Sequence, residues 1–279
     1  MGFVFKCYGS FKTSLGKLDA VVECNEIAVR ELRRNLENNE CPEQYLSLLS
    51  NAHGVRVNLI NMDVFQGRVA QFYILSVFEQ FEKFLDDFRA ESPDRLEWKD
   101  RKGESRLDCA LRNIGHSSEF NKISIGVFRY EICEYYRMVR NRFMHAGVDD
   151  QRLQNHLDRV IEFKPEIKES YKLDSAPNMY PNLTFSDFVL YSRTVKNVAS
   201  CLCEIGRPSD SDFIKMILEL AEQPESKVKI SKLAKFRNNP MRLQKAVENL
   251  IRTRYSLDSD EGQSLVTALV SHIQENMGC

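Results

Sequence analysis

Apolar residues return at steps of three and four along much of this chain, the period of helices with one buried face. The clearest run is Phe128, Ile132, Tyr135, Val139 and Phe143, which predicts a helix ending near His145. At about 100° per residue, His145 lies roughly 200° from Phe143 and so falls on the face away from that stripe. Asn141, four residues earlier, and Arg137, a turn before it, share this polar face, and the long side chain of Arg140 can lean toward it. A second run, Asp63 to Arg89, keeps Val64, Ile74, Phe78, Phe81 and Leu85 close to one stripe, and a third, Phe185 to Ile205, carries Phe188, Val189, Val195 and Val198.

The weaker patterns fill in the rest. Lys17 to Asn39 reads as a helix through Leu18, Val21, Val22, Ile27 and Leu32, and a shorter one follows Pro42 through Leu49. Residues 3–8, and Val55, Val57 and Leu59 alternating with Arg56 and Asn58, read as two short strands of a small ribbon. Glu97 to Glu104 is a polar loop, Arg106 to Ile114 a short helix, and His116 with Asn113 nearby belongs to a solvent-facing loop. Gln151 to Phe163 forms a helix on Leu153, Leu157 and Ile161; His156 lies off those positions and reads as surface. Pro165 disturbs the pattern, and Leu173 to Thr184, with Pro177, Tyr180 and Pro181, is a loop. Gly206 to Asp210 breaks the chain again, with Asp210 or Ser211 capping a helix through Phe213, Ile214, Ile217 and Leu220. Helices then follow at Lys229 to Phe236, from Pro240 through Leu243, Val247 and Leu250, and from Asp260 to Asn276. The expected fold is all-α, in three segments: an N-terminal layer (1–60), a helical bundle (61–205) and a C-terminal helical module (206–279).

Composition changes this picture in one respect. The 279 residues carry 43% hydrophobic side chains and a net charge of −1, ordinary for a globular protein. Yet Lys227 to Arg254 holds nine basic residues against Glu248 alone, a net +8, so everything else sums to −9. Such asymmetry points to a surface for polyanions, and Lys232, Lys235, Arg237, Arg242, Lys245 and Arg252 are its candidate RNA-binding residues. Eight cysteines show no zinc-like spacing, Cys201 and Cys203 being the nearest pair. They read as reduced, mostly buried thiols, and no metal or cofactor is implied. The start, Met1 to Lys6, has too short an apolar run for a signal peptide and lacks the residue wanted for myristoylation. No stretch approaches 18 apolar residues, so the expectation is a cytoplasmic protein without a membrane partner.

The stretch Arg140-Asn141-Arg142-Phe143-Met144-His145 resembles the signature of the HEPN superfamily, in which an Arg is followed by a polar residue, three variable residues and a His. The resemblance covers about half the chain, residues 61–205, and implies a helical bundle with a metal-independent endoribonuclease site completed across a homodimer. Arg140 and His145 would then be catalytic, with Asn141 orienting or supporting them. The stretch Phe78 to Leu85 resembles the early long helix of these domains, so Glu79 or Glu82 would support Arg140, and Arg137 stands close in sequence. Many members act as toxins or antiviral effectors, so the implied partners are RNA, a second copy, and an antitoxin or regulator. One departure is clear: a subset carries a Tyr three residues after the His, where this chain has Val148. Two other readings of the same residues remain. Arg and His near a helix C-terminus are favoured there by the dipole alone, and the chain would then be a non-catalytic RNA-binding module or a protein-interaction scaffold.

Overall fold

The computed structural model describes residues 2–57, 61–93, 97–145, 150–222, 233, 235–257 and 262–276. Its regular structure among these is entirely helical: α1 (Lys6–Glu37), α2 (Pro42–His53), α3 (Met62–Glu91), α4 (Arg106–Asn113), α5 (Ser118–Ile125), α6 (Val127–Met144), α7 (Asp150–Glu162), α8 (Lys164–Tyr171), α9 (Phe185–Ile205), α10 (Asp210–Glu222), α11 (Pro240–Tyr255) and α12 (Gln263–Asn276). The helices start where capping chemistry lets them. Ser105 Oγ accepts the Asp108 N–H at the start of α4, and Asn239 Oδ1 accepts the Arg242 N–H at the start of α11. At α10 the capping side chain is Ser209, not Asp210 or Ser211: its hydroxyl accepts the Asp212 N–H and donates to the Asp212 carboxylate. Gly126, at φ 89°, takes the left-handed turn that separates α5 from α6.

The expected ribbon is absent from the described residues. Residues 6–8 are already helical, Val55 and Val57 are irregular and exposed, and Leu59 lies outside the described residues. Phe3 and Phe5 are buried by ring packing instead: Phe3 stacks 5.9 Å from Tyr255, Phe5 meets Phe88 edge-on at 5.4 Å, and the Val4 N–H donates to the Tyr255 carbonyl. Backbone pairing is thus replaced by an aromatic cluster.

Contacts divide the chain into two compact units, each assembled from separated segments. One comprises residues 1–10, 83–124 and 199–279. Its core gathers Phe3, Phe5, Phe88, Leu202, Phe213, Leu243, Val247 and Tyr255, all at most 2% exposed. The other comprises residues 11–82 and 125–198. There Ile74, Val77, Ile132, Tyr135, Tyr136, Val139, Val160, Tyr191 and Val195 are buried, and the Tyr136 hydroxyl donates to Asp187 Oδ1 at 2.9 Å. Asp187 is fully buried and also accepts backbone N–H groups from Asn178 and Thr184, which ties the loop before α9 to that helix. The thiols of Cys7, Cys109, Cys133 and Cys203 are buried, whereas Cys24 and Cys41 are exposed. No helix among the described residues is long and apolar enough to cross a membrane.

Several apolar positions lie outside the core. Val21, Ile27 and Val64, read as parts of buried stripes, are more than half exposed. On α7 the buried positions are Leu153, His156, Leu157 and Val160, while Ile161 faces solvent.

Candidate functional site

Helix α6 runs out of its core into solvent over its last turn, and this exit assembles the candidate site. Val139 is buried, Asn141 to Phe143 are half-buried, and Met144 and His145 are exposed. Phe143 anchors the end of α6 to α3 by meeting the Phe72 ring edge-on at 5.2 Å. Arg140 reaches the same helix: its guanidinium lies 5.0 Å above the Phe78 ring, and Nη2 donates to Glu79 Oε1 at 3.4 Å. Nη1 donates to Asn141 Oδ1 at 3.3 Å, so the two neighbours in sequence are also neighbours in space. Among the described residues the Nε of Arg140 is buried and without a hydrogen-bond partner. A guanidinium has five N–H donors, so the two hydrogen bonds seen among the described residues use only part of its capacity.

His145 is the residue at which the helix stops. Its φ of −133° and ψ of 122° are extended, and its backbone N–H still closes on the Asn141 carbonyl at 2.9 Å. The helical projection that set its side chain beside Asn141 and Arg137 therefore does not apply to it. Its imidazole is exposed and makes no hydrogen bond or ion pair among the described residues. Ala146, Gly147 and Val148, which follow His145, lie outside the described residues. Arg142 reaches the first residue of α7, with Nε 3.0 Å from Asp150 Oδ1.

Two predicted supporting residues are used elsewhere. Arg137 is not part of this end of the helix: it forms a bidentate pair with Glu134, at 2.5 to 3.1 Å, and Glu134 is only 5% exposed. The pair adjoins His156, whose buried imidazole is held below its ordinary pKa first by desolvation and then by Arg159 and Arg137, against a counter-pull from Glu134. Glu82 lies near the core phenol of Tyr191, whose pKa is pushed up chiefly by burial, then by the Cys133 thiol and by this carboxylate. Sequence reading overlooked Phe78 as the platform beneath Arg140. The signal was there, since Phe78 directly precedes Glu79.

The candidate RNA-binding residues fare unequally. Lys232 lies outside the described residues; Lys235, Arg242, Lys245 and Arg252 are exposed, and Arg237 is half-buried. Arg254 turns inward instead, its guanidinium 5.9 Å from the centre of the Tyr255 ring and its Nε buried. His116 packs edge-on against Phe120 at 4.8 Å and is exposed.

No known family model, curated protein or solved structure matches the chain.

Proposed function

We propose that this protein is a metal-independent endoribonuclease of HEPN type, with Arg140 and His145 as its catalytic residues. The observation that supports it most is the pairing of functions at one exposed helix end. A cation is held by Glu79, Asn141 and Phe78, and five residues on follows an exposed imidazole without a hydrogen-bond or ion-pair partner among the described residues. RNA carries a hydroxyl beside each phosphodiester. His145 removes its proton, acting as the general base. The oxygen attacks phosphorus, and the negative charge that grows on the phosphorane meets the Arg140 fork. The departing oxygen leaves with a proton, and the product ends in a cyclic phosphate. Base and acid are both needed, and one chain supplies one His145. A homodimer that brings two copies together meets that need, because a twofold axis presents the same residue from each side. Asn141 and Glu79 are positioning residues for Arg140. The biological role that fits is that of a toxin or antiviral effector restrained by an antitoxin or regulator.

The test is cleavage of mixed cellular RNA by wild type, Arg140→Ala and His145→Ala with chelator present and product ends identified. Cutting by wild type alone, with cyclic phosphate ends, is the expected result. Cutting that persists in His145→Ala removes the assignment.

A further inference from the structure

Along α11, Arg242, Lys245, Asn249 and Arg252 fall within about 80° of one another at 100° per residue, opposite the buried Leu243, Val247 and Ile251. Arg242, Lys245 and Arg252 are exposed and make no ion pair among the described residues; Arg252 donates only to Asn249 Oδ1 at 3.3 Å. A groove of about 640 Å³ borders this face, lined by Lys245, Asn249 and Arg252, with Leu257, Gly262 and Val266 on its other side. Among the described residues its lining holds one carboxylate, Glu248, which accepts a hydrogen bond from the Gln244 amide at 2.9 Å.

We infer that this groove binds the sugar–phosphate backbone of single-stranded RNA. Three cations without an ion pair among the described residues, and an amide, lie over about 15 Å of helix and offer hydrogen-bond donors along one face, as a repeated anion requires. Protein interfaces draw their energy from large anchors seated in pockets, whereas the apolar lining residues Ile251, Leu257 and Val266 are at most 2% exposed. Tyr255 is buried as well and no aromatic ring lines the groove among the described residues, so the backbone and not stacked bases is what this groove would hold. The choice of RNA among polyanions rests on the endoribonuclease reading of the α6 end.

The test uses the full chain carrying His145→Ala, so that RNA is not cut, and a fluorescent oligouridylate of 12 nucleotides followed by anisotropy across a salt series. For single strands the affinity falls with a log–log slope of about −0.7 per phosphate neutralised, so the three cations contribute about −2. Adding Lys245→Glu and Arg252→Glu is expected to weaken binding at least tenfold and flatten that slope, with the helical melting profile unchanged; Lys245→Gln with Arg252→Gln gives a smaller loss in the same direction. Equal affinity in both charge variants overturns the inference, as does absence of RNA binding. Polyglutamate that displaces the RNA at equal charge concentration would reassign the groove to acidic proteins. The same charge reversals placed in the cleaving enzyme separate the two proposals. RNA cut with unchanged kcat and KM leaves the nuclease and removes the groove, whereas RNA bound through the groove but never cut leaves the groove and removes the nuclease.

Discussion

Two helices of this protein are rich in cations and use them in opposite ways. On α6 three arginines each face a carboxylate: Arg137 with Glu134, Arg140 with Glu79 and Arg142 with Asp150. On α11 Arg242, Lys245 and Arg252 face none among the described residues. A guanidinium tied to a carboxylate loses long-range field but gains a fixed plane, which suits a task set by geometry, such as meeting charge at one atom. An ammonium or guanidinium without a counterion keeps its field and its freedom, which suits attraction along a chain of phosphates. Position, not charge count, therefore separates the candidate catalytic cation from the candidate binding cations.

The strongest way to break this contrast is through the exposed imidazole of His145, which makes no hydrogen bond or ion pair among the described residues. If the α6 end is chemical machinery, His145→Ala lowers RNA cleavage by about 10²–10⁴-fold, the usual worth of acid–base catalysis, while the thermal midpoint is unchanged because the side chain is exposed. Single-turnover cleavage beside a melting curve measures both. A loss of cleavage matched by a loss of folded protein would count against a chemical role.

The pairs on α6 are themselves unequal, and the second prediction uses that. Glu134 is buried, so Arg137→Ala strands a carboxylate in the core; this is expected to cost about 3 kcal/mol, the lower end for a broken buried pair because Arg137 keeps some solvent access. Denaturant melts measure it. Activity per folded molecule should stay near wild type, which would separate Arg137 from Arg140 although they are one turn apart. Replacing both partners, as in Glu134→Leu with Arg137→Met, should recover much of the stability.

These inequalities show what the sequence could and could not reveal. Helices α3, α6 and α9 were legible because each carries a long 3.6-residue repeat, and Phe185 to Ile205 is observed with the expected bounds. The exposed end of α6 was legible for the same reason; a carboxylate beside Arg140 was implied by the resemblance as Glu79 or Glu82, and Glu79 is the one that meets it. Short helices were not. α5 has eight residues and too little repeat, and Pro165 starts α8 at a first-turn position instead of breaking a pattern. A stripe drawn through Leu153, Leu157 and Ile161 leaves His156 outside it; with Val160 in place of Ile161, Leu153, His156, Leu157 and Val160 form one buried stripe that includes the histidine. Arg137 lies on the helix where the polar face was drawn, but Glu134 three residues earlier draws it inward. The interleaving of segments 1–10, 83–124 and 199–279 into one unit depends on contacts between residues far apart in the chain, which periodicity does not encode.

A finer test addresses whether Glu79 positions Arg140 or merely neighbours it. The pair is partly exposed, so Glu79→Gln should change stability by less than about 1 kcal/mol. If Glu79 fixes the guanidinium plane, kcat falls while KM stays near wild type, and Glu79→Asp recovers part of the loss. A drop confined to KM would assign Glu79 to substrate attraction instead. Unchanged kinetics would leave Phe78 and Asn141 as the groups that hold Arg140.

The smallest expected effect lies behind the site, in the pH dependence set by His156. Its folded pKa is depressed, chiefly by desolvation, so the native state keeps the imidazole neutral while the unfolded chain takes up a proton near pH 6.5. The unfolded state then binds more protons, and stability rises with pH across that window. The contribution of His156 is complete above about pH 6.5 and is lost as pH falls from there through the depressed folded value. Comparing thermal midpoints of wild type and His156→Gln between pH 7.5 and 5 isolates it, because other titrating groups are common to both proteins. The wild type should lose more stability than the variant on acidification, and cleavage per folded molecule should be the same in both. Parallel melting curves would mean that the Glu134 carboxylate offsets desolvation, and the contrast between a sealed pair on α6 and the exposed cations of α11 would then be smaller than the burial of Glu134 implies.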